Sequence, residues 1–389
     1  MNMLAPSTNI VIETVEDPEV VRARWDALQR RALATPFQTH EWCLRLYDTV
    51  GRARGARPLI VIVRDRGTEE DIALLPLALE RRAGTDIVSF ADFGLCDYAM
   101  PIFIPEGMFQ IGTVRTIWPR ILEALPSADL IHFDKMPTEF HGEGNPLAGL
   151  PGLTTADLDC WRTHLPENWE DYERGLSKQS RRAIRRRASK LNRLGVAEVE
   201  FLRGGAEAGR MLDLLRRARK ERFERLGRKD AMDDPAVHMF YRGLATGGDG
   251  GMPLMSVLRL NGEVVALVFG MLKDMHFYML AMTFVQGRPE LEKCAPALVL
   301  VHRMMADLHA EGLRIYDFTI GAESYKRAFG AHREQLHEYL HPLTGRGRAF
   351  VMAKRLRSAL RHVRRSKRAV LERIDRWRER GHGRGRNRA

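Results

Sequence analysis

The sequence predicts two mixed α/β units in tandem, and three features carry that prediction. A pattern of helix, hairpin and further strand occurs twice, about 195 residues apart. The second occurrence runs on into a proline-led helix and another strand, the order expected of a sheet with a crossover helix. With 389 residues, the chain is long enough to fill two cores of ordinary size.

The first unit opens with a helical period at Val20-Val21, Trp25, Leu28 and Leu33. Pro58 then starts an apolar run, a polar turn and a second apolar run, which reads as two antiparallel strands. Pro253 starts the same arrangement, with Asn261-Gly262 as its tight turn. Asn and Gly both tolerate the positive φ that a two-residue hairpin demands. A further strand follows each hairpin, at Asp86–Phe90 and His276–Leu280, and Met211-Leu212, Leu214-Leu215 and Ala218 set a helical period before the second. The Gly- and Pro-rich stretch Pro137–Thr163 is the expected linker. A helix is expected from about Ala297 to Glu311, closed by Gly312, and then a strand over Leu313–Phe318. Pro296 suits the start of that helix, where its missing N–H is no loss. Three segments result: 1–165, 166–345 and 346–389.

Net charge is +12, but it is unevenly placed. Residues 346–389 hold 17 Lys/Arg against 3 Asp/Glu, so the remainder, with 45 basic and 47 acidic residues, is nearly neutral. The basic character belongs to an appendage, which keeps an apolar helical stripe from Phe350 and Met352 through Leu356, Leu360 and Val363 to Ile374 and Trp377. Such a helix suits an anionic membrane surface, or alternatively docks on the body with a solvated basic face. No apolar run is long enough to span a bilayer, and Met1–Val20 lacks the regions of a signal peptide. Cys43, Cys96, Cys160 and Cys294 are widely spaced and suggest neither disulfides nor zinc, so a cytoplasmic setting is expected, peripheral on the membrane if the tail binds it. The histidines show no HExxH or other metal spacing, and no metal is expected.

Three constellations carry candidate chemistry. Around Ala295, Pro296, Ala297 and Leu298, a helix start following a strand presents N–H groups and the positive end of a dipole, suited to a pyrophosphate; the spacing alone also reads, and more readily, as an ordinary Pro-initiated helix packed on a sheet. In the block Tyr316–Lys326, Asp317 ends a strand and Glu323, Tyr325 and Lys326 follow a glycine. Glu323 is a candidate base toward an ammonium, Tyr325 a candidate acid for a leaving thiolate, and Lys326 a partner for phosphate. In Ser177–Gly195, eight Lys/Arg and no acid flank a thin apolar stripe, a face for phosphates of a nucleotide, lipid or RNA, or simply for solvent. No aromatic interleaving supports nucleic acid, which is not the expected partner. Asp92 and Asp97-Tyr98 follow the third strand of the first unit, where they either line a cleft or stabilise their loop.

With these residues in view, the chain resembles the GNAT-like acyltransferases of the BioF2-like group, often described with cellulose-biosynthesis (CelD-type) proteins and distantly related to the FemAB peptidyltransferases. The resemblance covers about 170–330 and rests on the basic helix 177–195, NGEVVALVFG, the proline-led helix start, and Gly312, Asp317, Phe318, Gly321, Glu323, Tyr325 and Lys326. The first unit resembles the family's degenerate N-terminal domain, with Asp97-Tyr98 matching a frequent Asp-Tyr. It implies a tandem GNAT-like acyl-CoA N-acyltransferase fold with a basic helical tail. It also implies acyl-CoA (acetyl-CoA) as co-substrate and a small primary amine, of an envelope or polysaccharide precursor, as acceptor. Pro296-Ala297 stands where relatives have Pro-Gly, and Thr283 where an Asp is common. An aminoacyl-tRNA-dependent transferase and a non-catalytic adaptor at the membrane are the alternatives.

Overall fold

A computed structural model describes residues 9–247, 252–321 and 323–360. The first unit contributes β1 (Ile10–Val15), α1 (Arg22–Gln29), α2 (His40–Leu46), β2 (Arg57–Asp65), β3 (Asp71–Arg82), β4 (Thr85–Phe90), β5 (Ile102–Phe103), α3 (Val114–Ala124), β6 (Leu130–Met136), the hairpin β7 (Glu139–Phe140) and β8 (Glu143–Gly144), and β9 (Leu153–His164). The second contributes α4 (Trp169–Gly175), α5 (Lys178–Asn192), β10 (Ala197–Leu202), α6 (Gly205–Arg225), α7 (Pro235–Thr246), β11 (Pro253–Leu260), β12 (Glu263–Lys273), β13 (His276–Phe284), α8 (Pro289–Glu292), α9 (Pro296–Ala310), β14 (Ile315–Ile320), α10 (Tyr325–Ala328) and β15 (His332–Pro342). A helix over 345–360 follows.

The strands form one continuous sheet in the order β1-β2-β3-β4-β6-β15-β9-β14-β13-β12-β11-β10, with β5 added beside β3. Both halves repeat one scheme: antiparallel neighbours, then a single parallel pair, β4 with β6 and β13 with β14. The two strands at the middle are exchanged. β9 from the first half lies against β14, while β15 from the second lies against β6. The stretch expected as a linker therefore holds a central strand. Its Gly/Pro content belongs to the turns before β9, not to a flexible tether.

The two hairpins fall where the sequence places them, and Asn261 and Gly262 take the positive φ of 52° and 83° that their turn requires. The edge strands β1 and β10 were not foreseen. Each is six residues long and partly exposed, and each lies outside the hairpin pattern that marks the other strands. Of the tail, the described residues are helical to 360, and Val363, Ile374 and Trp377 lie outside them.

One core is shared by the halves. Phe37 and Trp42 of the first meet Tyr278 and Phe240 of the second at ring separations of 5.8 and 4.9 Å. A second core lies on the opposite face of the second half, where α9 covers Leu258, Val268 and Phe277. All four cysteines are buried and unpaired by disulfides.

β13 carries one extra residue, Leu280, against β12, because Phe269 pairs with Ala281 and Gly270 with Met279. At Gly270 a Cβ would run into the Tyr278 carbonyl and the Phe277 ring, so only glycine lets the bulge close. Gly270→Ala should therefore cost about 2–3 kcal/mol in denaturant unfolding, as overpacking at a backbone contact does.

Candidate active site

The bulge re-aims β13, and the parallel pairing beside it is brief. His276, Phe277 and Tyr278 match Ile315, Tyr316 and Asp317, and beyond them the two strands part. Thr319 turns into the left-handed region at φ 54°, and its hydroxyl donates to the Met279 carbonyl at 3.0 Å across the mouth of the gap. Past that point the facing edges of β13 and β14 have no ladder between them. An extended ligand can enter there and use backbone groups that a neighbouring strand would otherwise occupy.

Asp317 lies at the closed end of this gap, fully buried. Its Oδ2 accepts from the Tyr98 hydroxyl at 2.7 Å and from His276 Nε2 at 3.2 Å, and its Oδ1 accepts from the Thr319 N–H at 2.7 Å. The Arg162 guanidinium stands 3.6 Å away and reaches Glu334 at 3.1 Å on its other side. Burial by itself would raise the Asp317 carboxyl, but the His276 hydrogen bond and the Arg162 charge outweigh it and hold the pKa below the ordinary value. Burial pushes His276 down to about 4, so it is neutral at pH 7. Donation from its Nε2 makes Nδ1 an acceptor, and His141 Nε2 meets that atom at 3.1 Å. His141 is exposed at the rim of a cavity of about 360 Å³ that also receives Arg162, His164 and His337.

Asp97 is a different kind of carboxyl. Burial raises it to about 7, Asp317 and Asp92 add to the rise, and Lys135 and the nearby Thr319 hydroxyl only partly oppose it. Lys135 is committed to Asp92, at 2.8 and 2.9 Å, and to the Cys96 carbonyl. One carboxyl is thus locked as an anion while its neighbour titrates near neutrality, a division found where acid–base work is done.

Of the residues singled out from sequence, Asp97, Tyr98 and Asp317 converge here from both halves. Glu323 is exposed and pairs with Lys326 at 3.1 Å. The Lys326 ammonium is buried against the carbonyls of Thr319, Ile320 and Gly321, at 3.2, 2.9 and 3.0 Å, and so pins the loop after β14. Tyr325 packs on Phe318, and burial keeps its hydroxyl protonated. At the α9 start Ala295 adopts φ 48°, and the Leu298 and Val299 N–H groups turn back on its carbonyl. The basic α5 lies alongside, its Arg187 and Ala188 opposite Leu298 and Val299. His276, Arg162, Thr319 and His141 were not anticipated. Arg162 fell inside the stretch expected as a linker, within a strand of mixed polar and apolar residues, so no local signal marked it. Among the described residues, His132, Asp134 and Glu338 are close enough to hold a metal ion, but the Lys354 ammonium sits on Glu338 and His132.

A tandem, mixed α/β sheet with one brief parallel pair per half defines the class, that of tandem GNAT-like folds. Residues 178–327 match the family model described as Acetyltransferase (GNAT) domain, which identifies this stretch as an acyltransferase domain. No curated protein sequence matches the chain. Among solved structures the fold is similar to FemX, with a TM-score of 0.59 and 11% identity over 85% of this chain and 97% of that one. L-PGS from Bacillus licheniformis aligns at a TM-score of 0.51 and 12% identity, over 88% and 96% of the two chains. The C-terminal domain of a putative lysylphosphatidylglycerol synthetase from Agrobacterium fabrum aligns at 0.50 and 12%, over 87% and 95%. At these identities the likeness is one of fold.

The buried histidine makes stability pH-dependent in a definite direction. Its folded pKa of about 4 lies below the ordinary 6.5, so its contribution is complete above about pH 6.5 and is lost as pH falls toward 4. His276→Asn keeps a donor but not the titration. Denaturant midpoints measured across that window should fall less steeply for the variant, by about one proton's worth of slope, roughly 1.4 kcal/mol per pH unit.

Proposed function

We propose that the chain is a CoA-dependent N-acyltransferase, with the acyl-transfer site in 166–345 and a degenerate partner unit in 1–165. The single observation that carries this reading is the gap between β13 and β14, closed at one end by Asp317 and flanked by an Asp97 carboxyl of pKa about 7. The pantetheine arm of acyl-CoA is the extended, amide-bearing ligand that suits such a gap, and its pyrophosphate is assigned to Ala295–Leu298 with α5 beside it. Asp97 takes a proton from the acceptor ammonium, and the freed amine attacks the thioester carbonyl. The N–C bond forms and the C–S bond breaks; Tyr325 gives its proton to the departing thiolate and takes the second nitrogen proton in its place. Glu323, exposed at the mouth, is assigned to contact with the acceptor. The acceptor class is an amine of an envelope or polysaccharide precursor, as the family resemblance implies.

A second reading, in which the acyl donor is an aminoacyl-tRNA, is favoured by α5. Lys178, Arg182, Arg185, Arg186, Lys190 and Arg193 are exposed along it with no acid in the helix.

Calorimetric titration with acetyl-CoA and a longer acyl-CoA separates the two. The first reading expects dissociation constants on the order of micromolar, lost in Ala297→Trp. Absence of binding to either thioester, with tRNA binding that weakens steeply with salt, selects the second. For the enzyme with its acceptor, the rate should rise with pH through about 7 as Asp97 ionises. Asp97→Asn should abolish that limb and lower kcat by about a hundredfold or more, with little change in KM for the acyl donor.

A further inference from the structure

The helix over 345–360 docks on the body by one narrow face. Gly347 lies so close to the Asp129 carbonyl that a Cβ would collide with it. Val351 packs against Ile87 and Leu130, Lys354 reaches His132 and Glu338, and Ser358 donates to Asp157 at 3.1 Å. Those contacts fix the helix's rotation, and so decide what it turns outward.

Met352, Leu356 and Leu360 recur at intervals of four and therefore lie on one face. They are 72%, 63% and 52% exposed. Ala349, Ala353 and Ala359 widen the stripe. At 100° per residue, Arg348 and Arg355 fall along one edge of it and Arg346 and Arg357 along the other, all four exposed. Arg346 and Arg357 also line a groove of about 870 Å³ beside Arg82, Thr85 and Phe350, polar enough for a phosphate and apolar enough for the start of an acyl chain.

We propose that this helix is an interfacial membrane anchor, whose outward stripe enters the headgroup–acyl boundary of an anionic phospholipid bilayer while the four arginines bind lipid phosphates. Water-exposed Met and Leu flanked on both edges by cations match that boundary, apolar below and anionic at its level. RNA would take the arginines but leave the apolar stripe in water. Residues 361–389 add twelve Lys/Arg against three Asp/Glu in sequence, supplying attraction without specifying depth. The proposal goes beyond the acyltransferase reading and does not depend on which donor is used.

The experiment is co-sedimentation of the full chain with vesicles of phosphatidylcholine, with and without phosphatidylglycerol. The expected result is partition onto the anionic vesicles only. Met352→Ser combined with Leu356→Ser should lower the partition coefficient about tenfold or more with the thermal melt unchanged, since both side chains are exposed. Arg348→Gln combined with Arg355→Gln should lower it about tenfold and weaken its dependence on salt. Failure of the wild-type chain to sediment overturns the proposal, and so does a serine pair that binds as well as wild type. It is equally overturned if light scattering shows that the serine pair dissolves a dimer while vesicle binding is unaffected, or if tRNA binding alone responds to the arginine pair.

Discussion

The buried carboxylate of Asp317 is the interaction on which the arrangement of the two halves depends. A fully buried charge is tolerated only where its lone pairs are used and an opposite charge is near. Here the partners come from four separate places: the β4–β5 loop through Tyr98, β13 through His276, β9 through Arg162, and the backbone of β14 at Thr319. No single half can supply that set. Withdrawing any one partner leaves a desolvated charge short of a bond, which is far costlier than the pairwise bond itself.

The strand exchange follows the same logic. Arg162 reaches Asp317 because β9, though it precedes the second half in sequence, pairs directly with β14, Asp317 standing opposite Arg162 in the register. β15 returns the exchange by pairing with β6. A sheet closed through borrowed strands has no edge at its middle, and its weakest line moves to where β13 and β14 part. The bulge at Leu280, the absent side chain of Gly270, the left-handed Thr319 and the loop pinned by Lys326 all lie around that line. Fold and site are therefore one problem: the groups that end the parallel ladder are those that frame the gap.

Local features of the sequence made much of this legible. Two hairpins with their turn residues, the proline-led α9 and the basic α5 each occupy a contiguous stretch, and each appears in the structure close to where its pattern lies. Asp317 and Asp97-Tyr98 stood out as polar groups following apolar strands, although nothing local told that Tyr98 donates to Asp317 across 219 residues. What stayed hidden depends on distance along the chain. β9, and Arg162 with it, was hidden inside the stretch expected as a linker, β1 and β10 belong to neither hairpin pattern, and His276 read as an ordinary strand residue until the halves were joined. Lys326 was misleading for the converse reason: a cation in a promising block is bound to three carbonyls rather than offered to a ligand.

Asp97 and His276 titrate in opposite senses, and together they explain how a base near neutrality can coexist with a buried network. From the ordinary carboxylate value up to about 7, folding leaves Asp97 holding a proton that the unfolded chain has released. Between about 4 and 6.5 it leaves His276 without one that the unfolded chain has gained. In the shared window the two differences cancel, so the pair adds little slope to stability there. Above it His276 no longer contributes, while ionised Asp97 becomes an anion in poorly solvated surroundings near Asp317 and Asp92. That ionised form is the one able to accept a proton, and its unfavourable setting is what gives it the basicity to do so. The folded state is strained by the anion in the same pH range in which the anion is useful.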